Sequence, residues 1–257
     1  MTFAYKTDEK TAKRVRAIVP RLTAGATDAL RVQKLESAEI SMSVFSVLAG
    51  WWRFVNRTAD AMLALYDQGF TVEATPLMRN LVGHAYAINW LADHDEAGYR
   101  ALMAQSHTSR KKLLENIEQV GWNLPEDVEL EAPAFEFATP EEEKEHDRRV
   151  GELRNFQNMV TAYGSPMLYP VYRNLSAYAH TTDLTASAFV SQVNENRVVL
   201  HETSREDRLA DLCWMPVPLL QAASVMSPLL QGDPMRKLIR EASRDLGLPE
   251  DMRPQRR

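Results

Sequence analysis

The chain has 257 residues, of which 45% are hydrophobic and 25% charged, and its formal net charge is -5. This composition excludes a wholly disordered chain, because the apolar content is enough to form a buried core and the net charge is small. A single cysteine, Cys213, excludes a disulfide framework and a multi-cysteine metal site. The single cysteine and the absence of an apolar signal run near the N-terminus together predict a cytoplasmic protein.

Apolar residues recur at three- and four-residue steps along most of the chain, which predicts an all-α protein. The strongest repeat, over residues 35–68, predicts one long helix that ends at Gly69. A second helix is predicted over 75–92, with Pro76 at its favoured first position, and a third over 95–120. These helices predict a bundle built around one long helix pair.

Residues 121–138 contain two prolines and no helical period, and we interpret them as an acidic loop insertion rather than an interdomain linker. Residues 126–145 carry nine acidic residues and one lysine, a charge of -8, so the remaining 29 basic and 26 acidic residues leave +3. Net charge therefore neither implies nor excludes a nucleic-acid partner. Thr139 followed by Glu142 matches a capping box, which predicts a helix reaching Tyr163.

The next predicted helix opens at Pro170 and passes through His180. The run RVVLH at 197–201 is the one candidate strand, and it predicts half of a short β-hairpin near residues 190–203. Ser204 is expected to cap the helix that follows.

That helix contains the most apolar stretch of the chain, Leu209 to Leu230, which resembles a membrane span in length. Asp211, Gln221 and three prolines favour a kinked, buried core helix instead, and no membrane association is predicted. A last helix is expected from Pro234 to about Leu246. Together these elements predict a single helical domain over 1–247 and a basic, disordered tail over 248–257.

Standard catalytic and metal-binding motifs are missing from the sequence. It has no glycine-rich phosphate loop, no G-x-S-x-G turn, no H-E-x-x-H and no C-x-x-C. Glu143 and His146 match one Glu-x-x-His spacing, but they lie in a solvated run of charge. No metal and no cofactor are therefore predicted.

Two segments repeat an Arg-Asn…His pattern, RNLVGH at 79–84 and RNLSAYAH at 173–180. Each follows a proline by three residues, so each arginine is predicted at the fourth position of a helix. A cation there faces the positive end of the helix dipole, which a bound phosphate or a partner carboxylate would relieve. The sequence leaves open whether a ligand or an internal Arg–Glu pair does so.

Helical geometry separates the two segments. Arg173 and His180 are seven residues apart, so on one straight helix they lie within about 20° of the same face, with Ser176 between them. Arg79 and His84 are five apart and diverge by about 140°, so they are not expected to share a ligand readily. The second segment is therefore the preferred site and the first the reserve.

An arginine, a polar residue and a histidine after four to six intervening residues resemble the higher eukaryotes and prokaryotes nucleotide-binding (HEPN) family. The segment VYRNLSAYAHTTDLTASAFV at 171–190 carries this resemblance best, supported by LMRNLVGHAYAINWL at 77–91. The chain is also similar to uncharacterised bacterial helical proteins related to that family, through Tyr172, Ser176 and His180. The likeness covers residues 40–92 and 150–190.

The resemblance implies a metal-independent RNA endonuclease, a toxin or antiphage defence effector that leaves a 2′,3′-cyclic phosphate. Arg173 would hold the scissile phosphate, His180 would act as general acid or base, and Asn174 would orient the site. The expected substrate-binding residues are Ser176, Tyr172, Tyr178, Arg79, Asn80 and His84. The reaction needs both an acid and a base, so the resemblance also implies a homodimer with two copies of Arg173 and His180 at its axis.

Other interpretations remain open. The same fold can serve as a non-catalytic module that binds RNA, a nucleotide or a protein such as an antitoxin or a defence-system partner, and a small-molecule enzyme would need a polar pocket inside the bundle. A ribonuclease should gather basic residues around the motif, and a protein-binding module should expose an apolar patch. The candidate basic residues are Arg110, Lys111, Lys112, Arg148, Arg149 and Arg154. The residues Trp51, Trp52, Trp90 and Trp214 are predicted to pack in the core, while Tyr169, Tyr172 and Tyr178 suit base stacking or core packing equally.

Overall fold

The computed structural model describes residues 6–31, 40–123 and 133–256. Its helices are α1 (Glu9–Leu30), α2 (Met42–Asp67), α3 (Thr71–Gln119), α4 (Pro140–Arg154), α5 (Phe156–Ala162), α6 (Leu168–Ala177), α7 (Asp183–Ser187), α8 (Leu209–Trp214), α9 (Pro216–Met226) and α10 (Arg236–Leu246). Two strands, β1 (Val190–Asn194) and β2 (Arg197–Leu200), pair as an antiparallel hairpin. The predicted all-α bundle with one short hairpin is confirmed.

The long helices α2 and α3 form the centre of the bundle. Ser41 caps α2, its Oγ accepting from Val44 N at 3.3 Å, and Gly69, at φ 87°, allows the tight turn into α3. Asp95 has φ 47° and ψ -133° and kinks α3 at the predicted gap between two helices. The predicted break is therefore confirmed, and the label α3 covers both halves.

Helix α1 is not among the predicted elements. Asp8 caps it, with Oδ1 accepting from Thr11 N at 2.8 Å. Its buried positions repeat at helical spacing and pack against α2, α8 and α10. They are Ala12, Val15, Ile18, Val19, Leu22, Ala26 and Ala29. This helix therefore contributes a large part of the core.

The apolar stretch near the C-terminus packs inside the bundle as α8, α9 and a 3-10 turn at Ser227–Leu229. By length and composition alone, Leu209–Leu229 is long and apolar enough to cross a membrane, and 61% of its apolar window is buried. The predicted kinked core helix is confirmed. The predicted cap is wrong, because Ser204 Oγ accepts from Glu206 N at 3.0 Å and the helix begins only at Leu209.

Helix α4 begins at the predicted cap, since Thr139 Oγ1 accepts from Glu142 N at 3.2 Å. It ends earlier than predicted, at Arg154, because Asn155 adopts an extended backbone with φ -128° and ψ 108°. The Asn155 side chain then caps α5, its Oδ1 accepting from Gln157 N at 2.9 Å. Residues 124–132, the centre of the predicted acidic insertion, lie outside the described residues.

Helix α6 ends at Ala177, so the predicted helix through His180 is wrong. Ala179 N donates to the Ser176 carbonyl oxygen at 3.0 Å, and Thr182 Oγ1 donates to the Ala177 carbonyl oxygen at 2.9 Å. A continuing helix would use these same carbonyls, so the turn at 178–182 competes with it directly.

The C-terminal residues differ from the predicted disordered tail. Leu248 is 8% exposed and packs in the core. Arg253 Nε donates to Asn89 Oδ1 at 3.2 Å, and Arg256 NH2 donates to Glu152 Oε1 at 3.1 Å. Residues 248–256 therefore lie against α3 and α4, because their arginines find carboxylate and amide partners there.

Candidate functional site

A cleft of about 280 Å³ opens where α3 meets α4, α5 and α6, with α2 on one side. The helical backbone is interrupted at Asn155, between α4 and α5, and this interruption lets residues on both sides of it face the cleft. The lining residues are Trp51, Arg79, Asn80, Gly83, His84, Ala87, Leu102, Gln105, Leu153, Arg154, Phe156, Met159 and Tyr172. The reserve segment at 79–84 thus supplies one wall of a cavity.

Arg79 is held in the cleft by α6. Its Nε donates to Ser176 Oγ at 2.8 Å, and that hydroxyl donates to the Tyr172 carbonyl oxygen at 2.8 Å. Its NH1 reaches Asn80 Oδ1 at 3.5 Å. Ser176 therefore orients the guanidinium group through Nε and leaves the NH2 donors for a ligand.

Three aromatic rings, in contact one with the next, extend from Arg79 into the core. Arg79 Cζ lies 4.8 Å from the centre of the Tyr172 ring. The Tyr172 ring stacks on Phe156 with centroids 4.0 Å apart and planes 25° apart, and Tyr86 meets Phe156 edge-on at 5.7 Å. The Tyr172 side chain therefore supports the arginine from below and is itself supported by the core.

His84 is fixed in one tautomer by its own helix. Its Nδ1 lies 2.9 Å from the Asn80 carbonyl oxygen, and a carbonyl only accepts, so Nδ1 carries the proton. The neutral ring then presents Nε2 as an acceptor. The ring centroids of Phe54 and Trp51 lie 4.5 Å and 6.4 Å from the centroid of the His84 ring. Burial lowers the pKa of His84 below its ordinary value, Arg79 adds to this effect, and the bond to Asn80 opposes it.

The cleft is cationic. Two arginines, Arg79 and Arg154, line it, and no aspartate or glutamate from the described part of the chain does. Among the described residues neither arginine forms an ion pair with a carboxylate, so the internal Arg–Glu pair left open by the sequence is not formed there. A half-buried cation without a counter-ion favours an anionic ligand.

The predicted separation of Arg79 and His84 is wrong, since both line the same cleft. The long arginine side chain extends across the helix surface to Ser176, so the angle between the two α-carbons does not decide where the guanidinium lies. The dipole prediction is also corrected. Arg79 is the ninth residue of α3, and Arg173 is the sixth of α6, beyond the first turn in both helices.

The preferred segment is not assembled into a site by the described residues. Arg173 and Asn174 are exposed, and His180 is exposed beyond the end of α6. The predicted shared face of Arg173 and His180 is wrong, because it required one continuous helix. Ser176 and Tyr172, from the same segment, point instead to Arg79.

Tyr178, a predicted substrate-binding residue, belongs to a separate polar cluster. Arg208 Cζ lies 4.4 Å from its ring centre, and its hydroxyl donates to Glu206 Oε2 at 2.8 Å. Thr71 Oγ1 donates to the Glu206 carbonyl oxygen at 2.6 Å. This cluster fastens the segment before α8 to α3 and gives Tyr178 a structural role.

Some cleft residues were not predicted. Trp51 lines the cleft, whereas Trp52 and Trp90 are core residues as expected, at 1% and 0% exposure. Of the six candidate basic residues, Arg154 alone lines the cleft. Arg148 is engaged elsewhere, donating to Glu145 Oε2 at 2.6 Å. Neither Trp51 nor Arg154 belongs to a motif, and the predicted helix reaching Tyr163 contained no signal for the break at Asn155.

The chain matches the sequence model of DUF5677, described as a family of unknown function, over residues 45–197. It belongs to the DUF5677 family. The matched range contains every residue that lines the cleft and both Arg-Asn…His segments, but not α1 or α8–α10. No curated protein and no solved structure matches the chain. The DUF5677 region is thus the part of the chain that builds the cleft.

Proposed function

We propose that the cleft binds single-stranded RNA and cleaves it, and that the protein is a metal-independent endoribonuclease with Arg79 and His84 in the active site. The convergence of a histidine acceptor and two arginines without carboxylate partners carries this proposal. The segment RNLVGH also fits the HEPN-like pattern, with four residues between arginine and histidine. The role first expected of Arg173 and His180 passes to Arg79 and His84.

The chemistry starts at the RNA itself. The 2′-hydroxyl attacks the adjacent phosphorus, forming the O2′–P bond and breaking the P–O5′ bond, which leaves a 2′,3′-cyclic phosphate and a 5′-hydroxyl. His84 Nε2 takes the 2′-hydroxyl proton as general base. The free donors of Arg79 bind the non-bridging oxygens as negative charge develops on them, and Arg154 holds a neighbouring phosphate.

The leaving O5′ needs a proton. Among the described residues one histidine lines the cleft, so a single chain supplies the base and not an equivalent acid. A homodimer in which a second copy brings its own His84 to the phosphate would supply it. A toxin or antiphage effector of this kind would need control by a partner protein such as an antitoxin.

The test is cleavage of a 5′-labelled single-stranded RNA by purified protein in EDTA. We expect Arg79→Ala and His84→Ala each to lower the rate by at least about 100-fold, the usual scale for a lost general base. Arg173→Ala and His180→Ala are the matched controls and should stay within about twofold. Mass spectrometry should find the 2′,3′-cyclic phosphate, and RNA lacking the 2′-hydroxyl should survive.

Equal loss in all four variants, or none, would contradict this assignment. Binding of RNA that depends on Arg79 without any cleavage would favour the alternative, a non-catalytic module. Inducible expression in a bacterial host separates the physiological roles, because a toxin should arrest growth only when Arg79 and His84 are intact.

A further inference from the structure

A second cavity, of about 440 Å³, lies on the other side of the α3–α6 pair from the cleft. α3 lines it with Met78 and Val82, whereas the neighbouring Arg79 and Gly83 line the cleft. α8 and α9 close the far side. We call this cavity the apolar pocket. Its volume lies in the range of sites that hold small molecules, and it is too small for a protein helix about 10 Å wide with its flanking turns.

The walls of the apolar pocket are fixed by the core. Met78, Val82 and Leu175 are 5%, 7% and 3% exposed, so they are held by packing on their other sides. α3 also packs directly on α9. These helices cannot close the pocket by collapse without disturbing the core, and an apolar ligand would remove its surface from water.

The Asp211 carboxylate at the apolar pocket accepts hydrogen bonds through only one of its two oxygens, as far as the described residues show. Asp211 Oδ2 accepts from Thr75 Oγ1 at 2.9 Å and from Arg208 Nε at 2.8 Å. Oδ1 accepts no hydrogen bond from any residue in the described ranges. Arg208 pairs closely with Asp211, at 2.8 Å, and more distantly with Glu206, at 3.6 Å. Because the mostly apolar lining makes a second buried cation costly, the unbonded oxygen favours a neutral donor.

We propose that the apolar pocket is a binding site for a neutral, mostly apolar small molecule that carries one N–H or O–H donor for Asp211. The pocket residues Asp211 and Trp214 lie outside residues 45–197, so this site is not part of the DUF5677 match. It is independent of the proposed ribonuclease activity.

The probe is N-phenyl-1-naphthylamine, a neutral aromatic amine with one N–H whose fluorescence rises in apolar sites, titrated into the full chain. Val171→Trp should fill the pocket from its rim, where Val171 is 52% exposed and the larger side chain need not disturb folding. We expect at least tenfold weaker binding. Val193→Trp, at a 56% exposed position on β1, is the matched control and should change affinity less than twofold.

The hydrogen-bond donor is tested with 1-phenylnaphthalene, which has the same rings without the N–H and should compete at least fivefold less well. If Val171→Trp lowers the melting temperature, Val217→Phe fills the pocket from α9 and repeats the test. Absence of saturable binding to the wild-type chain, or equal effects of the pocket and control variants, would overturn the proposal.

Discussion

Residues 79–84 and 173–180 carry the same Arg-Asn start and a terminal histidine, but they differ in what faces them. The first segment lies in the first half of α3, before the kink at Asp95, where α2, α4, α5 and α6 surround it, so Arg79 and His84 are both half-buried. The second lies on the short helix α6, which ends before His180. A histidine and an arginine become a site when neighbouring elements remove water and fix their orientation, and only the first segment has such neighbours.

The two segments are also coupled, because the second supports the first. Ser176 and Tyr172 orient Arg79, while Arg173 and Asn174, from the opposite side of the same turns, face solvent. Substitutions can therefore test the difference between the segments, and positions in the second segment serve as controls for positions in the first.

Filling the cleft should have the largest effect. A Cβ added to Gly83 would lie 3.7 Å from Tyr172 Cε2, an ordinary contact, so the further atoms of Gly83→Leu must enter the cleft. We expect RNA affinity to fall about 100-fold, equivalent to about 2.8 kcal/mol, in a binding assay with non-cleavable 2′-O-methyl RNA. Ala177→Leu, four residues after Arg173 as Gly83 is after Arg79, should leave affinity within about twofold.

The Gly83→Ala variant tests whether the loss of RNA affinity comes from side-chain volume or from a change in backbone conformation. Gly83→Ala adds only the tolerated Cβ and removes a glycine from a helix interior, so it should stabilise the fold by about 1 kcal/mol. The melting temperature should rise by about 2–4 °C with RNA affinity unchanged. Weak binding by this variant would mean that Gly83 is needed for helix bending, not for space.

The pH dependence should be the next largest difference. Burial lowers the pKa of His84, so its base form should persist below pH 6.5 and RNA cleavage should decline only in more acidic buffer. Folding stability is linked with the same sign. A depressed folded-state pKa means that the unfolded chain binds more protons as the pH falls below 6.5, so stability drops there.

The measurement is denaturant unfolding at pH 7.5 and pH 5.0. His84→Asn should remove part of the acid-induced loss of stability, because the substituted side chain no longer titrates. His180→Asn is the control and should lose as much stability as the wild type. An equal acid response in all three proteins would show that burial of His84 has no thermodynamic consequence.

Helix periodicity was enough to predict most of the fold, since α2, the kink in α3, the hairpin and α10 follow from apolar spacing, Gly69 and turn residues. α1 was not predicted, because several of its buried positions are small alanines, which weaken the apolar pattern, and because Pro20 lies within it. Apolar periodicity predicts which face of a helix is buried, and in the correctly predicted helices that face packs in the core.

The candidate site could be predicted only in part, because its decisive contacts join distant residues. Ser176 is 97 positions from Arg79, and no spacing rule connects them. The choice of Arg173 and His180 depended on a continuous helix, yet residues 173–180 contain neither glycine nor proline to mark the end at Ala177. That end is set by hydrogen bonds from Ala179 and Thr182, which are local turn contacts that helix propensities do not report.

A smaller effect should follow from removing the support that α6 gives to Arg79. Ser176→Ala deletes the hydroxyl that accepts from Nε at 2.8 Å. One neutral hydrogen bond contributes about 0.5–1.5 kcal/mol, so cleavage should slow by about two- to tenfold. Combined with Arg79→Ala, the same substitution should cause no further loss. Ser187→Ala removes a similar hydroxyl, 3.1 Å from the Leu184 carbonyl oxygen on α7, and should have no effect.

The smallest effect at any one salt concentration should come from Arg154, but its salt dependence should be diagnostic. Each phosphate neutralised on single-stranded nucleic acid adds about 0.7 to the slope of log affinity against log salt. Arg154→Gln should therefore lower the slope by about 0.7, because Arg154 lines the cleft without a carboxylate partner among the described residues. Arg173 is also exposed but lies outside the cleft, so Arg173→Gln should leave the slope unchanged. A smaller slope in both variants would mean that RNA also crosses the outer surface of α6. The second Arg-Asn…His segment would then belong to the RNA-binding surface. The two segments would differ only in that the first carries out the cleavage.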